Sequence, residues 1–253
     1  MLLDVAFLPS EVANLANSVC IVVDVLRASS TIVTLFERGC PRVLLAGSVS
    51  EGRRLAKEGG LLLAGERNGL PPVGFDLGNS PAELKGLDLA TQVVVLTTSN
   101  GTAALRKVAG ARAVLVGCFT NAEACCRAAL ELAHRTGADL IVVCAGRRGR
   151  FALDDASCAG FLAETIAGME DGACVLTDAA RGACRLWQGY GDAILAFQDS
   201  ASGQRVLEIG YAEDLALCAR TSVSAIVPTL APGRPFRLVQ WNGDQATGDH
   251  PGN

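Results

Sequence analysis

Short apolar runs rich in Val, Ile and Leu alternate with stretches of helical periodicity through the first 150 residues. Continuous apolar strands separated by helices are typical of a parallel sheet that is covered on both faces. After residue 150 the pattern becomes mainly helical. It therefore predicts an α/β fold, a three-layer α/β/α arrangement around a mostly parallel sheet. The predicted strands are 2–7, 19–25, 42–46, 61–64, 92–97, 112–117 and 139–144, with weaker ones at 223–227 and 236–240, and the predicted helices are 28–38, 48–58, 100–109, 120–135, 154–168, 176–188 and 211–220.

An internal repeat accompanies this pattern. Residues 22–31 align with residues 93–102 at an offset of 71, and residues 42–47 then align with residues 112–117, one residue out of step. A duplicated βαβα unit and the ordinary likeness of βα units both explain the repeat, and both give the same architecture. We expect one domain over residues 1–241, built as one body or as two similar lobes around a central cleft, followed by a flexible tail over residues 242–253.

Composition narrows the class of protein. The net charge of −4 and the isoelectric point near 5.3 argue against nucleic acid or an anionic membrane as a partner. The chain begins without a basic, apolar signal segment, and no apolar run approaches the length of a membrane span. The ten cysteines are scattered and form no CxxC pair, which indicates reduced thiols. We therefore expect a cytoplasmic protein, and whether it forms a homodimer stays open.

Histidine is scarce, and this bears on the chemistry. The chain has only two, His134 and His250. This argues against a Ser-His-Asp triad, a phosphohistidine mechanism and a histidine-rich zinc site. Chemistry would then depend on carboxylates, hydroxyls, arginines, backbone amides and a hard metal ion.

Two polar loops follow apolar strands and precede helices. In the first, Asp24 ends a strand, where an unpaired carboxylate would be costly to bury, and Arg27 can fork onto an oxyanion. The hydroxyl and amide side chains of both loops cap helices, whose free amides attract anions. The candidates for substrate binding in these loops are Arg27, Ser29, Ser30, Thr31, Ser99, Asn100, Gly101 and Thr102.

Two further loops are candidates because of their length and charge. Residues 65–81 form a long segment of the kind that is usually functional in a compact domain, with Glu66 and Asp76 as its carboxylates of interest and Asn79 next to a predicted helix start. Residues 144–155 place Arg147 after a buried strand and the adjacent Asp154 and Asp155 at the next helix start. The two acids suit either the helix dipole or Mg²⁺.

Together these four segments, in this order and at these separations, resemble the 2-phosphosulfolactate phosphatase family of coenzyme M biosynthesis, over about residues 1–240. The resemblance implies a three-layer α/β/α fold, a Mg²⁺ requirement and hydrolysis of a small anionic phosphorylated hydroxy acid, (2R)-2-phospho-3-sulfolactate. It also implies substrate contacts from arginines such as Arg27 and Arg147, from Asn79, and from two helix starts.

Candidate catalytic residues are Asp24, Asp155 and Glu66. Mg²⁺ typically takes one or two protein carboxylates, which suits Asp24 with Asp155 or with Glu66; Asp24 and Asp155 are the predicted ligands. Which carboxylate is ligand or base stays open, as does a covalent route in which Asp24 or a serine is the nucleophile.

Three other functions remain to be weighed. A phosphatase acting on another 2-phospho acid would have the same loops. A non-catalytic phosphate-binding protein would need the anion loops but neither Asp24 nor Asp155. An oxidoreductase with a dinucleotide fold would need a glycine fingerprint that the chain lacks.

Overall fold

The computed structural model describes residues 1–171 and 173–243, and it confirms the α/β class. Ten strands form one sheet, and nine α-helices and two short 3₁₀ turns occur in the described residues. The strands are β1 Leu2–Ala6, β2 Ser18–Val23, β3 Val43–Leu45, β4 Leu62–Gly65, β5 Val94–Thr97, β6 Ala113–Val116, β7 Asp139–Cys144, β8 Val175–Leu176, β9 Pro228–Ala231 and β10 Arg237–Gln240. The helices are α1 Ala28–Glu37, α2 Val49–Gly59, α3 Gly101–Lys107, α4 Ala122–Thr136, α5 Leu153–Met169, α6 Asp178–Tyr190, α7 Ala193–Asp199, α8 Ala201–Glu208 and α9 Ala212–Cys218, with 3₁₀ turns at Leu15–Asn17 and Phe119–Asn121.

The strand order is β4-β5-β3-β10-β9-β6-β2-β7-β1-β8. All neighbours are parallel except β3/β10, β10/β9 and β9/β6, so the prediction of a mostly parallel sheet is confirmed. The antiparallel pair β9–β10 joins two parallel halves. The predicted strand at 223–227 is wrong, because the chain there is irregular and the strand begins at Pro228.

Helices cover both faces of the sheet because the central strands are apolar on both sides. In β2, Val19, Ile21 and Val23 face a core that includes residues of α4, α5 and α6, whereas Cys20 and Val22 face a second core with α1 and α3. A smaller cluster packs α2 on the other face of β5. Complete burial of a Val or Leu side chain contributes about 1.5–3 kcal/mol, so these alternating faces hold the layers together.

The strand order also extends the sequence repeat. The two halves of the repeat have the same order of elements along the chain, β2-α1-β3-α2-β4 and β5-α3-β6-α4-β7. In the sheet, β2 lies between β6 and β7 of the second half, and β5 lies between β3 and β4 of the first half. Thus β3 pairs with β5, β6 pairs with β2, and the segments β4-β5-β3 and β7-β2-β6 have equivalent orders. The pattern at offset 71 therefore corresponds to equivalent places in the two halves.

The three antiparallel pairings make the two halves run in opposite directions. In a flat sheet the carboxyl ends of β2 and β5 would therefore point in opposite directions along the strands. The loops that follow these two strands nevertheless meet, on the face of the sheet that carries α1 and α3. Their contact is close: a Cβ on Gly101 would lie 2.8 Å from Asp24 Oδ2 and 2.7 Å from Ala28 Cβ. Only glycine allows this approach.

Two helices, α7 and α8, are absent from the elements that the sequence predicts. The run Ser200-Ala201-Ser202-Gly203 reads as a loop, but Ser200 caps α8 by accepting a hydrogen bond from Gly203 N at 2.8 Å. A Cβ on Gly203 would collide with Phe197 O at 1.9 Å, so glycine is required where α8 packs on the end of α7. Most of the tail predicted at 242–253 lies outside the described residues.

Candidate active site

A pocket of about 530 Å³ lies where the four polar loops meet. The loop after β2, the long segment after β4, the loop after β5 and the loop after β7 all contribute, and α8 forms a further wall. The sequence predicts that the helix starts at Ser29 and Asn100 face one site, and the loops that precede these two helices do line one pocket. Seven predicted residues line the pocket: Asp24, Arg27, Glu66, Asn79, Ser99, Asn100 and Arg147.

Asp24 is the buried carboxylate of this pocket. Its carboxylate accepts hydrogen bonds from the backbone amides of Ala28 and Gly101, the first residues of α1 and α3. Burial, and then the negative charges of Glu66 and Asp154, raise the pKa of Asp24 to about 7 despite these two donors. Asp24 is thus held in place by two helix starts and can exchange a proton near neutral pH.

Glu66 ties two of the loops together. It accepts hydrogen bonds from Ser99 N at 2.6 Å and Gly69 N at 2.7 Å. The sequence predicts that amides of this kind, at the two helix starts, bind the anionic groups of the substrate. The correction is that carboxylates of the protein accept bonds from them: Glu66 from Ser99, and Asp24 from Ala28 and Gly101.

Asp155 joins the first and fourth loops. Its Oδ1 accepts from Val25 N at 2.9 Å and its Oδ2 accepts from Gly146 N at 3.0 Å. Burial and the charges of Asp154 and Asp24 raise the pKa of Asp155 well above its usual value. Asp155 does not line the pocket. Because it lies outside the pocket wall, unlike Asp24 and Glu66, Asp155 is better suited to positioning the two loops than to the predicted role of metal ligand.

Asp154 lies next to Asp155 and is also buried. Its Oδ1 has no hydrogen-bond partner among the described residues. Burial raises the pKa of Asp154 to about 6, although the hydroxyls of Ser202 and Ser200 and the charge of Arg147 lower it in part. An unpartnered buried carboxylate oxygen is costly, so this atom is available to a cation or an ordered water.

Arg27 is engaged by the protein itself. Its Nη1 lies 2.8 Å from Asp214 Oδ2, its Nη2 donates to Gly69 O at 2.6 Å, and the guanidinium lies 4.5 Å from the ring centre of Tyr211. Asp214 is fully buried and also accepts from Ser80 Oγ at 2.8 Å. The predicted forked contact of Arg27 with substrate is therefore not supported, because these partners occupy the guanidinium.

Arg147 differs from Arg27 in having no hydrogen bond or ion pair from its guanidinium to any described residue. It opens a tight turn, 147–150, in which Arg148 and Gly149 both have positive φ (54° and 70°). Hydrogen bonds in both directions between Arg147 and Arg150 close the turn at 2.9 and 3.1 Å. Such a two-residue turn is the mirror-image type that hairpins favour. It places the side chain of Arg147 on the pocket wall.

The turn at 67–70 is its counterpart in the other half of the repeat. Asn68 and Gly69 again have positive φ (55° and 89°). The two turns touch, since Arg148 Nη2 donates to Asn68 Oδ1 at 3.2 Å, and Arg205 of α8 donates twice to Asn68 O at 3.1 and 3.2 Å. The pocket thus has an inner end at Asp24 and a mouth bordered by Arg148 and Arg205.

The other predicted substrate-binding residues lie outside the pocket and support its loops. The hydroxyl of Ser29 accepts from Asp24 N at 2.9 Å, and that of Ser30 donates to Val25 O at 2.9 Å. Substrate contact is therefore not supported for these residues, all of which are buried and absent from the pocket wall: Ser29, Ser30, Thr31, Gly101 and Thr102. Asp76 is also outside; it accepts from Leu63 N at 2.8 Å.

Sequence reasoning missed the contribution of α8 and α9. Ser202 and Arg205 line the pocket, and Asp214 forms an ion pair with Arg27. None of the three lies in a polar loop that follows a strand, which is the signal that identified the other candidates. The only local signal is the cap at Ser200, and no local pattern indicates which loop the charges of Arg205 and Asp214 would meet.

Comparison with known proteins then decides the family. The 2-phosphosulpholactate phosphatase family matches residues 6–233 of this chain. The chain belongs to that family. A relative from Deinococcus radiodurans is 41% identical over 218 residues, which cover 85% of this chain and 88% of the relative. One from Thermus thermophilus is 38% identical over 213 residues (84% and 87%), and one from Pseudothermotoga lettingae is 34% identical over 235 residues (92% and 97%).

All three relatives carry the name "probable 2-phosphosulfolactate phosphatase", which describes a phosphoric monoester hydrolase. The family predicted from the four loops is thereby confirmed. Within residues 1–171 and 173–243 of this family member, no helix has the length and apolar character needed to cross a membrane.

The pocket of this family member has the oxygen donors that Mg²⁺ prefers. Asp24 and Glu66 line it, and Asn79, which is 4% exposed, has an Oδ1 without a partner among the described residues. No cluster of three or more His, Cys, Asp or Glu side chains suited to a metal occurs in that part of the chain. A bound Mg²⁺ would therefore depend on water and substrate oxygens for part of its ligands, as it usually does.

The buried carboxylates predict an unusual pH dependence of stability. Because the pKa values of Asp24 and Asp154 are raised to about 7 and about 6, the folded chain binds more protons than the unfolded chain between about pH 4 and pH 7. The free energy of unfolding of the metal-free protein should fall as the pH rises through this window. Urea unfolding at a series of pH values in EDTA measures it, and a free energy that rises between pH 5 and 7 contradicts the burial argument.

Proposed function

We propose that this chain hydrolyses (2R)-2-phospho-3-sulfolactate to 3-sulfolactate and phosphate, with Mg²⁺ as cofactor. Family membership supports the phosphatase activity, and the names of the relatives support the substrate. The observation that carries the proposal is the pocket itself, where two buried carboxylates, Asp24 and Glu66, share one wall with Arg147. In the reaction the oxygen of water bonds to phosphorus, and the bond from phosphorus to the oxygen on C2 breaks. A proton from the water ends on that oxygen, which becomes the hydroxyl of 3-sulfolactate.

The charges of the pocket suit such a substrate. The phosphate, carboxylate and sulfonate together carry several negative charges. Four arginines line the wall: Arg147 and Arg148 form no ion pair with a carboxylate of the described residues, whereas Arg27 is paired with Asp214 and Arg205 with Glu208. We assign the phosphate to the inner end, where the guanidinium of Arg147, unpaired among the described residues, can fork onto its oxygens. The sulfonate then extends towards the mouth, where Arg148 and Arg205 border the opening.

Asp24 and Glu66 are the residues that would hold Mg²⁺, together with the Oδ1 of Asn79. When bound there, the ion supplies polarisation of the phosphoryl group and a more acidic water. The protein's own part is to orient these oxygens. The amides of Ala28 and Gly101 hold Asp24, those of Ser99 and Gly69 hold Glu66, and Asp155 keeps the first and fourth loops together.

A substrate panel tests the proposal. Phosphate release is measured with 2-phosphosulfolactate, phospholactate and phosphoglycolate in the presence of Mg²⁺. We expect the highest kcat/KM for the sulfonated substrate, because it alone carries a third anionic group, which can reach Arg148 and Arg205. Phosphate release from phospholactate at an equal or higher rate would contradict the proposed substrate but not the phosphatase activity. Binding without phosphate release would indicate a phosphate-binding protein instead.

Chelation tests the metal separately. In excess EDTA we expect phosphate release to fall by about two orders of magnitude or more, since the metal's electrostatic stabilisation is lost, and added Mg²⁺ should restore it. Mg²⁺ should also raise the melting temperature of the substrate-free protein above pH 7, because it relieves the repulsion between Asp24 and Glu66. Full activity in EDTA after extensive dialysis would contradict the Mg²⁺ requirement, but it would not bear on the proposed substrate.

A further inference from the structure

A second concavity, which we call the basic groove, lies away from the active-site loops. Its volume is about 1160 Å³, and its walls are formed by β9, β10, the start of β6 and the end of α3. It shares no lining residue with the active-site pocket. The basic groove therefore needs an explanation of its own.

The charge of the basic groove is of one sign. Arg106, Arg112, Arg234 and Arg237 line it, and no Asp or Glu of the described chain does. Arg106 is paired with Glu51 at 3.2 Å, whereas none of the other three forms an ion pair with a carboxylate of the described residues. On a protein with a net charge of −4, three uncompensated arginines in one concavity create a local positive field.

Two of the four arginines are also oriented in advance. The ring of Phe236 contacts two guanidinium groups, with Arg106 at 5.2 Å and Arg234 at 4.5 Å from its centre. Cation–π contacts restrain the planes of these groups while leaving their N–H edges available. An oxyanion that enters can therefore accept forked hydrogen bonds at a smaller cost in side-chain entropy.

The base of the groove lies where β6 meets β9. These strands share one registered pair, Leu115 with Thr229, and Thr229 Oγ1 donates to Val114 O at 3.1 Å. The groove contains residues of both strands next to this pair, and Trp241, whose indole Nε1 is buried without a partner among the described residues. An unused donor thus accompanies the arginines, beside apolar surface from Leu230.

We propose that the basic groove is a second ligand site for a small organic anion with two or more phosphate, sulfonate or carboxylate groups and a flat apolar part. Three arginines without a carboxylate partner among the described residues call for at least two anionic groups, and Phe236 and Leu230 offer the apolar contact. Because no carboxylate of the described residues lies in its wall, the groove has nothing there to hold Mg²⁺ or activate water. The ligand therefore leaves unchanged, and the site does not depend on the proposed hydrolysis.

Calorimetric titration of the full chain with ADP and with inorganic pyrophosphate, at physiological salt, tests the proposal. Both probes carry adjacent phosphates, and only ADP has a flat ring. To separate the two sites, the titration uses three variants: Arg147→Ala, which weakens the active-site pocket, the double variant Arg234→Ala/Arg237→Ala, and Arg220→Ala as a control for an exposed arginine outside both sites.

We expect ADP to bind more tightly than pyrophosphate, and the double variant to lose about tenfold or more in ADP affinity, the loss that follows from one charge-assisted hydrogen bond. Arg147→Ala and Arg220→Ala should keep it, and substrate turnover by the double variant without ADP should be unchanged. Phe236→Leu, which retains apolar volume, should weaken ADP binding severalfold while its melting curve stays cooperative. Absence of ADP binding, an affinity that the double variant retains, or an equal loss in Arg220→Ala overturns the proposal.

Discussion

Replacing Asp24 by Asn should lower kcat by about two to three orders of magnitude, the size seen when one electrostatic stabiliser is removed from an active site. The asparagine side chain is uncharged, so it can neither bind Mg²⁺ as a carboxylate nor accept a proton. Its oxygen can still accept a hydrogen bond from Ala28 N or Gly101 N, which hold the carboxylate in the native chain. The local fold should therefore survive while the chemistry is lost.

Stability separates this role from a structural one. Above pH 7 the native protein holds Asp24 ionised although burial and Glu66 disfavour the charge, so the variant should melt at a temperature at least as high as the native chain in EDTA. Asp88→Asn is the matched control, because Asp88 is exposed and bonds only locally, to Ala90 N at 3.0 Å. A large fall in melting temperature with near-native turnover would show that Asp24 is structural.

The fold class could be predicted from the sequence because strands that are buried on both faces of a sheet appear as continuous runs of apolar residues. Strands such as β2 and β7 are buried at almost every position, and the helices between them are periodic. The predicted strand at 223–227 is wrong because periodicity alone does not distinguish a short apolar strand from an irregular buried segment. Pro228 begins the real strand, which is consistent with the preference of proline for the first residue of a strand.

The candidate site was predicted in its loops but only partly in its contacts. Carboxylates at strand ends and an arginine after β7 are local signals, and Asp24, Glu66 and Arg147 do line one pocket. Which donor meets which acceptor depends on tertiary packing. Asp214 lies 187 residues after Arg27, so no local pattern shows that it neutralises that guanidinium.

The repeat explains why two arginines have different roles. In equivalent turns of the two halves, Arg67 donates to Thr97 O and Thr97 Oγ1 at 3.3 and 2.9 Å, whereas Arg147 has no such partner among the described residues. Arg67 is thus tied to the last residue of β5, whereas the side chain of Arg147 lies on the pocket wall. Duplication followed by divergence would therefore leave one turn to support the site and the other to bind the ligand.

Replacing Arg147 by Ala should raise KM for the phosphorylated substrate about tenfold or more, since a charge-assisted hydrogen bond contributes roughly 1.5–3 kcal/mol and each 1.4 kcal/mol is about a factor of ten. The loss should also appear as a weaker inhibition by phosphate, the product that occupies the same inner end. Folding should be unaffected, because the guanidinium makes no hydrogen bond or ion pair with the described residues.

Arg150→Ala provides the matched control for this prediction. Arg150 belongs to the same turn and is an exposed cation, but it does not line the pocket. If Arg147 binds the phosphate directly, only Arg147→Ala weakens binding, and Arg147→Lys recovers part of it as a point charge without the fork. If the turn merely adds positive potential, both alanine variants raise KM by similar, salt-dependent amounts. Equal effects of the two substitutions would move the phosphate away from Arg147, towards the arginines at the mouth.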